Sequence, residues 1–145
     1  LAMMNVKPKE LLRLAPPGWD ARGQMAITLP TGSEPEPDVA LVRGDENTFR
    51  KRHPGPSEIG LVVEVSDSSL LVDRDDKGSI YAENGIPVYW VVNVPDRVIE
   101  VYTQPTGLGT AAAYAQRTDY AAGASVPVVL DGTIVGSVAV NAVFG

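Results

Sequence analysis

The sequence contains no cysteine, which excludes disulfides, thiolate catalysis and cysteine-ligated zinc and fits a reducing, cytoplasmic setting. It has a single histidine, His53, with no second histidine or cysteine beside it, so zinc has little to bind. No apolar run approaches the roughly 18 residues of a membrane span, so no membrane partner is expected. The opening LAMMNVKPKE lacks the basic-then-apolar layout of a secretory signal. Because it starts on Leu1 rather than Met, an upstream segment is expected to have been removed. Positive charge is also scarce. Twelve Lys and Arg against 18 Asp and Glu leave a net charge of −6, which argues against a wide electrostatic footprint on nucleic acid. A small anion site whose charge comes from a metal ion stays open.

What is present is 145 residues with 44% hydrophobic content, enough for one core, and the chain is read as one domain over 1–145. Its organising stretch is IGLVVEVSDSSLLVDRDDKGSIYAEN, Ile59 to Asn84. Leu61, Val62, Val63 and Val65 form an almost continuous apolar run, the pattern of a strand buried on both faces. Glu64 interrupts it, and a buried carboxylate calls for a charged partner or a metal. Ser66, Asp67, Ser68 and Ser69 offer helix-capping side chains, and a helix is predicted to about Asn84, ended by Gly85. At about 100° per residue, Leu70, Asp73, Lys77, Tyr81 and Asn84 share one face of that helix. Asp73 and Lys77 read first as an ordinary i,i+4 ion pair, with the alternative that Lys77 points toward the Glu64 end of the strand.

Elsewhere, Pro8 to Leu14 has the pattern of a short helix and Gln24 to Leu29 that of a strand. Pro30 to Ser33 is a turn. Glu34-Pro35-Glu36-Pro37-Asp38 leads into a strand at Val39 to Val42, and Asp38 at its start is also ordinary turn chemistry. The loop Gly44 to Ser57 gathers Arg50, Lys51, Arg52 and His53, either as a solvated loop or as a phosphate-steering patch. Ile86 to Asn93 and Val98 to Tyr102 form a hairpin about Pro95-Asp96-Arg97. Shorter strands or turns are predicted at Tyr114 to Tyr120, Ser125 to Leu130 and Thr133 to Val138. Val138 to Phe144 reads as either a terminal helical turn or an edge strand. The fold class is therefore α/β (or α+β): a mixed sheet flanked by helices.

Two carboxylates from neighbouring strands, Asp38 and Glu64, are able to share one hard divalent cation, because magnesium takes oxygen ligands and keeps several waters. A nearby lysine then positions the attacking water or stabilises charge on a phosphoryl group. The ordered series EPEPDVALV, RHPGPSEIGLVVEVSDSSL, DRDDK, YAENGIPVYWVV and VIEVY, within residues 20 to 135, resembles the Uma-two-type family of restriction endonucleases, a branch of the PD-(D/E)xK nuclease superfamily.

That resemblance implies a restriction-endonuclease-like core and Mg²⁺- or Mn²⁺-dependent hydrolysis of DNA, often by a homodimer. Carried over by position, it makes Asp38, Glu64 and the backbone carbonyl of Val65 the metal ligands and Lys77 the catalytic lysine. The superfamily's usual lysine position, two residues after the Glu, is Ser66 here. Asp73 and Tyr81 become supporting or substrate-facing groups, and Arg50, Lys51 and Arg52 become contacts to backbone phosphates. The resemblance also implies an N-terminal helical segment and hairpin bearing one acidic residue, of which part is expected to be missing, with Glu10 the candidate counterpart of that glutamate. Two other functions fit the same residues: a non-catalytic binding or assembly module of nuclease fold, and an RNA- or nucleotide-directed hydrolase.

Overall fold

The structure, a computed structural model, describes residues 13, 15–23 and 25–144. The helix predicted at Pro8 to Leu14 falls mostly, and Glu10 wholly, outside these residues. Six strands form one mixed sheet in the order β1 (Trp19–Gly23), β2 (Val39–Arg43), β3 (Ile59–Ser66), β4 (Val88–Asn93), β5 (Val98–Thr106) and β6 (Ala113–Tyr120). Every neighbouring pair is antiparallel except β3 and β4. A parallel pair requires a crossover, and the helical segment between them, ending in α1 (Gly78–Glu83), supplies it. A separate hairpin, β7 (Ser125–Leu130) with β8 (Thr133–Ala139), is followed by the short helix α2 (Val140–Phe144). No helix among the described residues is long and apolar enough to cross a membrane.

The strand alternation sorts the apolar side chains onto two covered faces. Leu41, Leu61, Val63, Trp90, Val92 and Ile99 pack with β7 and α2. Ala40, Val42, Val62, Tyr89 and Val91 pack beneath α1, Ile27 and Leu29 of the segment before β2, and Phe49 of the β2–β3 connection. That two-sided burial is why β3 and β4 read as continuous apolar runs. Gly60 serves the same packing: a Cβ there would lie 2.7 Å from the Trp19 ring and 2.9 Å from Leu130.

The crossover departs from a regular α-helix. Helical backbone begins at residue 70, but Val72–Lys77 is a π-helical turn, and only Gly78–Glu83 is α-helical. The end is as the glycine predicts. Gly85 has φ +72°, its N–H donates to Ala82 O at 3.0 Å, and Ile86 N–H donates to Tyr81 O at 3.1 Å, the paired bonds of a Schellman motif.

One strand was misplaced by the sequence pattern. Residues 25–29 have no regular secondary structure and join no sheet, the amides of Ile27, Thr28 and Leu29 donating instead to the Pro35, Pro54 and Ser33 carbonyls at 2.9–3.0 Å. Pro35 and Pro37 lack the N–H donors that a ladder alongside this segment would need. The edge strand is Trp19–Gly23 instead, just before it. The C-terminal ambiguity resolves as a β8 strand running to Ala139 and then helix α2.

Candidate active site

The site is assembled at the C-terminal end of β3. Register pairs Val39 with Val63, which sets Asp38, one residue before β2, beside the part of β3 that runs past its last rung with β2. Asp38 Oδ2 accepts the Val65 amide at 2.6 Å. A residue's N–H and C=O leave an extended strand on the same side, so the Val65 carbonyl faces that side as well. Glu64, only 3% exposed, points the other way from Val63 and Val65, toward the crossover helix. There Tyr81 Oη donates to Glu64 Oε2 at 2.7 Å. Lys77 Nζ lies 3.5 Å from Glu64 Oε1 and 3.1 Å from Asp73 Oδ1. Asp73 is itself 1% exposed and accepts Ser69 Oγ at 2.7 Å. The two readings of Asp73 and Lys77 are thus both met: the i,i+4 pair exists, and it points at Glu64.

The π-turn makes this alignment possible. In an α-helix, four residues overshoot a full turn by about 40°. The wider i→i+5 turn rotates less per residue and undershoots it. Between Asp73 and Lys77 the chain is π-helical, and beyond Lys77 it is α-helical. The two offsets oppose, keeping Asp73, Lys77 and Tyr81 in one row over Glu64. The turn is anchored through Tyr89, whose hydroxyl donates to the Asp73 carbonyl at 2.8 Å.

Burial is the largest influence on Glu64 and pushes its carboxyl up to about 7. The Tyr81 hydrogen bond and the Lys77 charge oppose that rise, while Asp38 and Asp73 add to it. Burial lowers Lys77, but Glu64 and Asp73 more than compensate, so its ammonium titrates above the ordinary lysine range. Tyr81 is raised far from its usual value, first by burial and then by the Glu64 charge, and stays protonated. Ser66, in the superfamily's usual lysine position, is fully buried with its hydroxyl unpartnered. Among the described residues, no group of three or more His, Cys, Asp or Glu side chains is placed to hold a metal.

The basic loop does not join this site. Arg50, Lys51 and Arg52 lie in the connection from the end of β2 to the start of β3, at the opposite end of those strands from Asp38 and Glu64. Arg52 is clamped on Glu58 by bonds of 2.7 and 2.6 Å, and Arg50 on Asn47 at 2.7 Å. What the sequence pattern missed is Glu100. In Val98-Ile99-Glu100-Val101 it sits where alternation indicates solvent, yet it is fully buried. Arg74 Nε contacts both its oxygens at 3.0 and 3.2 Å, Asn93 Nδ2 donates at 3.0 Å and Tyr102 Oη at 2.6 Å. The available signal was β4: a strand buried on both faces implies that its neighbour's polar residue is covered too.

A family model described as Uma2, "Putative restriction endonuclease", matches residues 9–133, which include every residue of the site. The chain belongs to the Uma2 family. The crystal structure of a putative nuclease belonging to DUF820 from Anabaena variabilis superposes on it with a TM-score of 0.55 at 11% identity. The match covers 88% of this chain and 68% of that one, and at such identity it speaks for the shared fold. No curated protein matches the Uma2 chain.

Proposed function

We propose that this Uma2 chain is a Mg²⁺- or Mn²⁺-dependent endonuclease that hydrolyses DNA phosphodiester bonds. The observation that carries the reading is Lys77 Nζ, 3.1 Å from Asp73 and 3.5 Å from Glu64, at the strand end where Asp38 meets Val65. The donor set of Asp38, Glu64 and the Val65 carbonyl suits a hard cation that keeps waters and takes the rest of its shell from substrate oxygens. Such a cation fits a buried Glu64 carboxyl that burial, and then the nearby Asp38 and Asp73 charges, raise against the Tyr81 hydrogen bond and the single positive charge of Lys77. When bound, it supplies Lewis-acid polarisation of the phosphoryl group and a more acidic water.

The chain's own residues then have distinct roles. Lys77, held charged, is no general base. It orients the attacking water and balances negative charge as the new P–O bond forms and the bond to the leaving sugar oxygen breaks. Tyr81 fixes the Glu64 carboxylate by donating to Oε2, and Ser69 fixes Asp73 in the same way.

The test is calorimetry with Mg²⁺ and Mn²⁺, followed by nicking of supercoiled plasmid, on wild type, Glu64→Ala and Lys77→Ala. Glu64→Ala is expected to lose metal binding. Lys77→Ala is expected to keep it while nicking falls about 10²–10³-fold, the scale of removing one transition-state contact. A wild-type protein that binds neither ion overturns the reading in favour of a non-catalytic module of the same fold.

A further inference from the structure

Two cations on the helix-covered face of the sheet are left unused by the site above. Arg74 follows Asp73 in the π-turn and reaches across to Glu100 on β5. Arg117 on β6 lies 3.2 Å from the same Glu100 oxygen. A fully buried carboxylate is costly unless fully partnered, and here burial raises Glu100 but Arg74, Tyr102, Asn93 and Arg117 together hold it below the usual range. The effect is to hold two guanidiniums side by side. Arg74 spends Nε and Nη2 on Glu100, and Arg117 spends Nε and Nη2 on Asp119 and Glu100. The Nη1 groups make no hydrogen bond among the described residues. Both arginines line a cleft of about 420 Å³ between the helix and β5–β6, with the hydroxyl-bearing Ser79 and Thr110 in its wall.

We infer that this cleft seats a backbone phosphate of the DNA strand flanking the bond cleaved at Glu64, gripped by the outer edges of Arg74 and Arg117. The inference rests on the nuclease reading. Register sets Glu64 beside Val91 and Val91 beside Glu100. Glu64 and Glu100 are therefore two strand spacings apart, about 10 Å, a span that one strand crosses. Paired guanidiniums held by a carboxylate suit a phosphate because the planar fork matches its oxygens and loses little freedom on binding. Asp119 competes for Arg117, but the pair is exposed, with side chains 40% and 48% accessible. Exposed pairs contribute little, so a phosphate displaces Asp119 at small cost. Asp119 is not itself in the cleft wall; the acid that lines the cleft is Asp75.

The experiment is fluorescence anisotropy with a short labelled DNA duplex, in EDTA so that nothing is cleaved. Wild type is compared with Arg117→Ala, Asp119→Asn and Asp131→Asn. The last removes the same charge from the β7–β8 turn, where Asp131 pairs with Arg43. Arg117→Ala is expected to weaken binding about fivefold or more and to lower the log–log salt slope by about one. Asp119→Asn is expected to tighten binding about twofold, with Asp131→Asn unchanged. Equal effects of Asp119→Asn and Asp131→Asn mark bulk charge and overturn the inference, as does wild-type affinity in both cleft variants. If wild type binds and the cleft variants respond as expected but plasmid nicking is absent, the cleft stands and the catalytic reading falls. If wild type does not bind the duplex at low salt, both fall.

Discussion

At the scale of single residues, Glu64 is where function and stability oppose each other. Its carboxyl titrates at about 7 in the metal-free fold against an ordinary 4.5, chiefly because it is buried. The folded state therefore holds the proton more tightly than the unfolded chain. That contribution is complete below 4.5 and is lost as pH rises through about 7, at a cost of about 3 kcal/mol in the charged form. Glu64→Gln keeps an acceptor for Tyr81 and removes the titration. It is expected to stabilise the metal-free protein by on the order of 1–3 kcal/mol at pH 8 and to leave it near wild type at pH 5. Denaturant unfolding at the two pH values measures this, and an equal shift at both would mean that burial of the charge is not the cause.

At the scale of elements, the π-turn is the part of the crossover that a sequence pattern does not reveal. Apolar spacing placed Asp73, Lys77 and Tyr81 on one face and Gly85 at the end, and the helix does present that face to Glu64. The wider turn depends on a tertiary partner, the Tyr89 hydroxyl on the Asp73 carbonyl, and Tyr89 lies on the next strand. The Glu100 cluster was hidden for the same reason, since its exposure depends on a helix and on β6 rather than on its own alternation. Local chemistry such as the prolines before Asp38 and the carboxylate inside β3 was legible because its cause is local. Tyr89→Phe keeps the buried ring, which packs 5.0 Å from Tyr81 and 6.0 Å from Tyr114, and removes only the hydroxyl. Leaving the Asp73 carbonyl short of a partner costs about 1–3 kcal/mol. A melting temperature lower by roughly 3–10 °C is expected, with faster amide exchange confined to residues 72–77. Exchange that rises evenly through the crossover would show that Tyr89 supports packing alone and does not hold the turn.

At the scale of the whole molecule, the site depends on a sheet covered on both faces, and the second cover comes late in the chain. Every catalytic candidate lies on or before the crossover helix, yet the face behind Glu64's strand is closed by β7, β8 and α2. Val140, Val143 and Phe144 of α2 are 1%, 2% and 4% exposed. Arg97, in the β4–β5 turn, donates to the Phe144 carbonyl at 3.1 Å and lies over its ring. Burial of each such side chain contributes about 1.5–3 kcal/mol, so the three together rival the 5–15 kcal/mol that holds a typical domain folded. The family match ends at residue 133, before most of β8 and all of α2. A chain truncated after residue 133 keeps Asp38, Glu64, Lys77, Arg74 and Arg117 but uncovers Val63, Trp90 and Val92. It is expected to lose its cooperative thermal transition by circular dichroism and calorimetry, and metal binding with it. A truncated chain that still melts cooperatively and binds Mg²⁺ would show that the helix-covered face alone sustains the sheet, and that the pairing of Asp38 with Val65 needs no support from behind.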